Sequence, residues 1–103
     1  MRTNLEAEFS EAMFEIYTRA RDEAKYNASQ YLHMLHELGA LETARTLINA
    51  DRPSDGYTKL WELRRLDLAV EALVIQHKWA PLFEEHEIRR ARERLIAYDY
   101  AVE

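Results

Sequence analysis

The chain has 103 residues, 48% of them hydrophobic and 32% charged, with a formal net charge of −5 at pH 7. This size and balance predict one globular domain over residues 1–103 and exclude a chain that is disordered throughout. The absence of cysteine excludes disulfides, thiolate zinc sites and cysteine nucleophiles. The acidic balance argues against a protein whose main task is to neutralise phosphates.

The N-terminal residues and the hydropathy pattern bear on where the protein works. Residues 1–8 are charged and lack the apolar core of a signal peptide. No apolar run approaches the ~20 residues that a membrane span needs. Together with the lack of cysteine, these features predict a cytoplasmic protein with no membrane contact.

The distribution of apolar residues predicts helices, beginning with a long one. Two glycines and two prolines leave few tight turns, which favours helices over strands and hairpins. From about Asn4 to Lys25 the apolar positions repeat at spacings of three and four, typical of an amphipathic helix. The stripe consists of Leu5, Phe9, Met13, Ile16, Tyr17, Ala20 and Ala24. Phe14 lies about a third of a turn away from it.

Two shorter helices are predicted to follow. The stretch from Asn27 to Gln30 has the pattern of a capping box, in which the Asn27 side chain accepts a backbone N–H. Gly39 supplies the left-handed residue that ends this helix. The apolar positions then repeat again from Leu41 to Ile48, which predicts a third helix.

The second half of the chain is predicted to hold the centre of the fold. Ser54 or Asp55 caps a helix after the loop that contains Pro53. Leu66 to Ile75 is apolar in nearly every helical direction, which predicts a central helix wrapped by the others and capped by Asp67; a buried strand is the competing interpretation. A turn with two aromatic residues and a final helix from about Glu85 to Ala97 complete the chain.

These elements predict the all-α class, as a compact bundle of five or six short helices around a central apolar helix. The side chains expected to supply most of the core are Phe9, Met13, Ile16, Tyr17, Leu35, Leu38, Leu47, Ile48, Leu60, Trp61, Leu68, Val70, Leu73, Val74, Phe83, Ile88 and Leu95.

An ordered set of short motifs resembles a family of small uncharacterised bacterial α-helical domains. The motifs are Tyr26-Asn27-Ala28-Ser29, Leu41-Glu42-Thr43-Ala44, Pro53-Ser54-Asp55-Gly56-Tyr57, Leu60-Trp61-Glu62, Arg65-Leu66-Asp67-Leu68 and Val70-Glu71-Ala72. The resemblance implies a compact helical module and no activity, cofactor or catalytic residue. One departure is Glu84, where similar sequences tend to have Ser or Thr at the start of the last helix.

Two histidines of the predicted second helix are candidate metal ligands. His33 and His36 lie three residues apart beside Glu37, but both point away from the apolar stripe of their helix. A zinc site needs further ligands, and the other imidazoles are His77 and His86. We therefore expect exposed histidines and no metal site.

Two carboxylates of the central segment are candidates for an acid–base pair. If Asp67 and Glu71 were buried together, one of them would have a strongly raised pKa. The simpler interpretation has Asp67 capping its helix and Glu71 meeting Arg64, Arg65 or another cation at the rim of the fold. The chain has no glycine-rich phosphate loop and no recognisable catalytic motif. We predict no catalytic residue and no cofactor, and an enzyme using this pair is the second alternative.

Nucleic-acid binding is the first alternative, because segment 27–49 has the outline of a helix-turn-helix. Its second helix offers Thr43 and Arg45 but also Glu42, and helix pairs of this kind are ordinary packing units. The last helix carries a denser basic cluster, interleaved with glutamates as in a solvated face. Its members are Arg89, Arg90, Arg92 and Arg94.

The main hypothesis is a non-catalytic protein-interaction or adaptor module. Phe14 and Trp79, together with Tyr98 and Tyr100 of the C-terminal segment, would form an apolar patch if they met in space. The expected partner is another protein or a second copy of the chain in a homodimer.

Overall fold

The computed structural model describes residues 4–102, and these form six α-helices and two 3-10 helices with no strand. The radius of gyration, 12.7 Å, is that of a compact chain of this length. The predicted all-α bundle is therefore confirmed. In chain order the elements are α1 (Asn4–Glu23), α2 (Ser29–Leu38), α3 (Ala40–Asn49), α4 (Asp55–Glu62), the 3-10 helix Leu66–Leu68, α5 (Val70–Val74), the 3-10 helix His77–Leu82 and α6 (Glu85–Ala97).

The central apolar segment is buried as predicted, but it is not one continuous helix. Ala69 is extended, with φ −78° and ψ 152°, and separates the first 3-10 helix from α5. All five residues of α5 are buried. The prediction of an unbroken rod was wrong because packing on both sides overrides the helix propensity of alanine. The break lets Leu66 and Leu68 enter one cluster of buried residues while Leu73 and Val74 enter another.

Those two clusters make up the core, and helix α1 contributes to both. The first core cluster is built around Phe9, whose ring makes edge-to-face contacts with Trp79 and Phe83 at centroid distances of 5.3 and 5.4 Å. The second core cluster lies towards the other end of α1, at Ala20, and includes Tyr57 and Leu95. Helix α3 packs against α1, α2, α5 and α6, so it ties the bundle together.

Two of the predicted core residues were placed wrongly. Leu38 is 46% exposed, because it lies in the last turn of α2, just before the chain turns at Gly39 into α3. Trp61 is also 46% exposed, with its ring edge-to-face against that of Tyr98 at a centroid distance of 5.4 Å. Tyr17, Leu47 and Ile88 are half-buried, and the other predicted core residues are buried.

The helix ends show where local sequence rules hold and where tertiary contacts replace them. Ser54 caps α4, its hydroxyl accepting the Tyr57 backbone N–H at 3.1 Å. The capping box at Asn27 is wrong: α2 begins at Ser29, and the Asn27 side chain instead accepts the Tyr17 hydroxyl at 2.8 Å. At the start of α6 the Glu84 backbone N–H is satisfied by the Glu87 carboxylate at 2.9 Å.

The two glycines of the chain provide a matched pair of substitutions. Gly39 has φ 84° and ψ 166°, a region that is essentially restricted to glycine, so Gly39→Ala should lower the free energy of unfolding by about 1–3 kcal/mol. Gly56 lies inside α4 without a positive φ, and an added Cβ would lie 3.5 Å from the Tyr26 hydroxyl. Gly56→Ala should therefore raise the free energy of unfolding by about 0.4–1 kcal/mol. Urea denaturation measures both values, and equal signs for the two variants would contradict this account.

Candidate binding cavity

An open cavity of about 330 Å³ lies between α1, the start of α2, the loop before α4 and the central segment. Its volume falls at the small end of the range for ligand pockets. The walls are mostly apolar, with Ile16, Met34, Leu60, Leu68 and Val70 among them.

Four tyrosines line the cavity, and three of them use their hydroxyl groups inside the protein. Tyr17 donates to the Asn27 amide oxygen at 2.8 Å, Tyr31 to the Met13 carbonyl at 2.7 Å, and Tyr57 to the Arg94 carbonyl at 3.1 Å. Burial raises the pKa of both Tyr31 and Tyr57 above the ordinary phenol value, so both remain neutral at physiological pH. Within residues 4–102, the Tyr26 hydroxyl has no hydrogen-bond partner.

The cavity is also lined by Glu71, which forms a buried ion pair with Arg94. Arg94 Nη1 lies 2.9 Å from Glu71 Oε2, and the two side chains are 9% and 4% exposed. The same guanidinium donates to the carbonyls of Leu47 and Ala50, at 3.1 and 2.8 Å, where α3 ends. Burial raises the pKa of Glu71, while the hydrogen bond from Arg94 acts in the opposite direction. The pair therefore joins α3, α5 and α6 and leaves no uncompensated charge on Glu71.

The predicted cap at Asp67 is wrong, and so is the expectation that Glu71 meets its cation at the rim of the fold. Asp67 lies inside the 3-10 helix Leu66–Leu68, and Ala69 is the residue at the N-cap of α5. The Asp67 side chain is 40% exposed and pairs with Arg65 at 3.0 Å. Arg65 also contacts Glu23 at 2.7 Å. Asp67 and Glu71 thus have different partners and different burial, so they do not form the shared acid–base pair.

The histidines lie on the surface of α2. His33 is 72% exposed, with its ring nitrogen 3.9 Å from a Glu37 oxygen, and the His36 ring lies 5.8 Å from that of Phe14. Within the part of the chain that the structure describes, no group of three or more His, Asp or Glu converges to hold a metal ion.

The four residues predicted to contact a partner divide between the two core clusters. Phe14 is half-buried at the edge of the first core cluster, and Trp79, at 4% exposure, is inside it. Tyr98 and Tyr100 pack against the second core cluster. Tyr98 also packs against the exposed side chain of Trp61.

Thr43 and Arg45, the two side chains that the helix-turn-helix outline offers for nucleic-acid contact, make hydrogen bonds within the protein, although Arg45 is 39% exposed. Thr43 is fully buried and donates to the Met34 carbonyl at 3.0 Å, and Arg45 donates to the Leu82 carbonyl at 2.9 Å. Arg94 forms the buried ion pair with Glu71, and Arg90 lies 3.9 Å from Asp51. Two of the four arginines of α6 are therefore directed at different carboxylates, Arg94 at a buried one and Arg90 at an exposed one.

The sequence patterns did not predict the cavity, although five of the six quoted motifs contribute residues to its lining, two of them through Leu60 and Leu68. Tyr26 and Ala28 come from the first motif, Pro53 to Tyr57 form another, and Val70 and Glu71 begin the last. Their common surface arises only when segments that are far apart in sequence pack together, so the local pattern of each motif does not reveal it.

Two further findings concern membrane contact and known proteins. None of the helices within residues 4–102 is long and apolar enough to cross a membrane. Comparison with known proteins found no matching family model, no matching curated protein and no matching solved structure.

Proposed function

We propose that this chain is a non-catalytic interaction module, acting in the cytoplasm of a bacterium, which holds one side chain of a partner protein in the cavity. The observation that carries the proposal is the combination of an open, mostly apolar cavity with polar groups at its rim. Such cavities are the default binding sites of globular proteins. The bacterial, cytoplasmic setting draws on the motif resemblance and on the lack of cysteine.

The chemistry of the cavity supports binding over catalysis. Its buried carboxylate is neutralised by Arg94, and the raised pKa values of Tyr31 and Tyr57 keep both phenols protonated. A general base or a nucleophile needs a free lone pair of suitable pKa within reach of a substrate. Glu71 in its ion pair and the two protonated tyrosines instead form an uncharged part of the cavity wall.

Filling the mouth of the cavity provides the test. A side chain on Gly56 starts 3.5 Å from the Tyr26 hydroxyl and 3.8 Å from that of Ser54, so Gly56→Leu places its branched end at the entrance. Gly56→Ala is the matched control, since it adds only a methyl group. We expect the wild type and Gly56→Ala to capture the same partner from host lysate in equal amounts. Gly56→Leu should capture about tenfold less of that partner.

Quantitative mass spectrometry measures the captured protein, and circular dichroism checks that each variant is folded. Equal capture by all three chains would place the partner elsewhere and contradict the proposal. Enrichment of the chain itself, lost in Gly56→Leu, would identify a second copy as the occupant and favour the homodimer.

A further inference from the structure

We infer that the side chain which enters the cavity is a lysine or arginine of the partner. Its aliphatic part lies along the apolar wall, and its charged group lies at the mouth between Asp55 and Tyr26. This inference rests on the proposed function and specifies the chemistry of its ligand.

The charge of the lining is the first argument. Among residues 4–102, two acidic residues line the cavity, Asp55 and Glu71, and no lysine, arginine or histidine does so. Glu71 is neutralised by Arg94, whereas Asp55 has no ion-pair partner within residues 4–102. The mouth therefore carries one uncompensated negative charge, which attracts a cation and repels an anion.

The tyrosine rings are the second argument. The cavity wall includes the side chains of Tyr17, Tyr26, Tyr31 and Tyr57, and aromatic side chains of this type bind organic cations through their ring faces. The Arg21 guanidinium already lies 5.9 Å from the centroid of the Tyr17 ring. The Tyr17 ring thus already makes a cation–π contact with one arginine of the protein itself, from outside the cavity.

The position of the free polar groups is the third argument. The Tyr26 hydroxyl lies 3.5 Å from the point that a Cβ on Gly56 would occupy, so it stands beside Asp55 at the entrance. Burial and the Asp55 carboxylate both raise the pKa of Tyr26, which reflects their proximity. Neither group has a hydrogen-bond or ion-pair partner among residues 4–102, so both are available to accept hydrogen bonds from an ammonium or guanidinium.

Asp55 also has a structural role that a test must separate from binding. It lies in the first turn of α4, where a negative charge is favoured by the helix dipole. Its removal is therefore expected to reduce stability slightly whether or not a ligand binds. Only the affinity for ligands of different charge distinguishes the two roles.

The experiment titrates the full chain with blocked single amino acids and follows backbone amide resonances by NMR. The probes are the N-acetyl methylamides of lysine, arginine, norleucine and glutamate. They share a backbone, and norleucine keeps the stem of lysine without its charge. A single side chain of this size should bind with a Kd of about 1 mM, so probe concentrations near ~10 mM are used.

We expect lysine or arginine to shift the resonances of Tyr26, Asp55 and Gly56 and to bind roughly tenfold more tightly than norleucine, with glutamate weakest. Asp55→Asn should weaken cation binding by about three- to tenfold and leave norleucine unchanged. The matched control is Asp51→Asn on the loop that precedes α4, because Asp51 is fully exposed and does not line the cavity. It should bind all four probes as the wild type does.

Three results would overturn the inference: norleucine binding as tightly as lysine and arginine, cation binding that is unchanged in Asp55→Asn, or no shift of the cavity resonances by any probe. None of them refutes the proposed function, which depends on the capture experiment with Gly56→Leu. Conversely, cation binding in the cavity without loss of the partner in Gly56→Leu would contradict the proposed function alone.

Discussion

Replacing Arg94 with methionine is expected to lower the free energy of unfolding by about 3–5 kcal/mol at neutral pH. The substitution leaves the Glu71 carboxylate 4% exposed and without its cation, while the carbonyls of Leu47 and Ala50 lose their donors. An uncompensated buried charge is among the few single changes with so large an effect. Urea denaturation followed by circular dichroism measures the loss.

A double variant separates the charge from the packing. In Glu71→Leu combined with Arg94→Met, no charge is buried, and apolar side chains of similar size occupy the site. We expect this chain to regain most of the stability lost in Arg94→Met, because apolar replacement of both partners of a buried pair is often neutral. A double variant no more stable than Arg94→Met would show that the bonds to the end of α3, and not the burial of Glu71, carry the effect.

The pH dependence of the Arg94→Met deficit follows from the direction of the Glu71 shift. Burial already raises the pKa of Glu71 above its ordinary 4.5, and Arg94 opposes that shift, so loss of Arg94 raises the pKa further. A raised folded-state pKa gives stability that is present below the unfolded pKa and lost as pH rises through the folded pKa. The deficit relative to wild type should therefore shrink as pH falls from 7 towards about 5. A deficit that stays constant over this range would contradict the assignment.

Replacing Phe9 with alanine is expected to lower the free energy of unfolding by about 3–5 kcal/mol. Phe9 is fully buried and contacts both Trp79 and Phe83 edge to face, so the substitution opens a space at the centre of the first core cluster. Aromatic pairs of this geometry contribute beyond their buried area. A loss of this size is a large share of the stability of a small domain. Phe9→Leu therefore serves as a milder variant, with an expected loss of about 1.5 kcal/mol or less.

Phe14 on the same helix is the matched control for Phe9. It is half-buried at the edge of the first core cluster, so Phe14→Ala should cost no more than about 1 kcal/mol. Urea denaturation of the three variants gives the comparison. Similar losses for Phe9→Ala and Phe14→Ala would show that the first core cluster is centred elsewhere.

The helical class, the buried stripe of α1 and the ends at Gly39 and Ser54 followed from the sequence alone. These features depend on residues within one or two turns of each other, where helical periodicity and turn chemistry act. The burial of the central segment also followed, since an apolar run has to be covered wherever it lies.

The break at Ala69, the partner of Glu71 and the cavity were decided only by tertiary structure. Alanine favours a helix locally, so the residue types around Ala69 do not predict the break. Arg94 lies 23 residues from Glu71, and several arginines of similar local character precede it in α6. The cavity exists because residues far apart in sequence face one another across packed helices. Local rules describe each of those residues well but contain no information about which of them will meet.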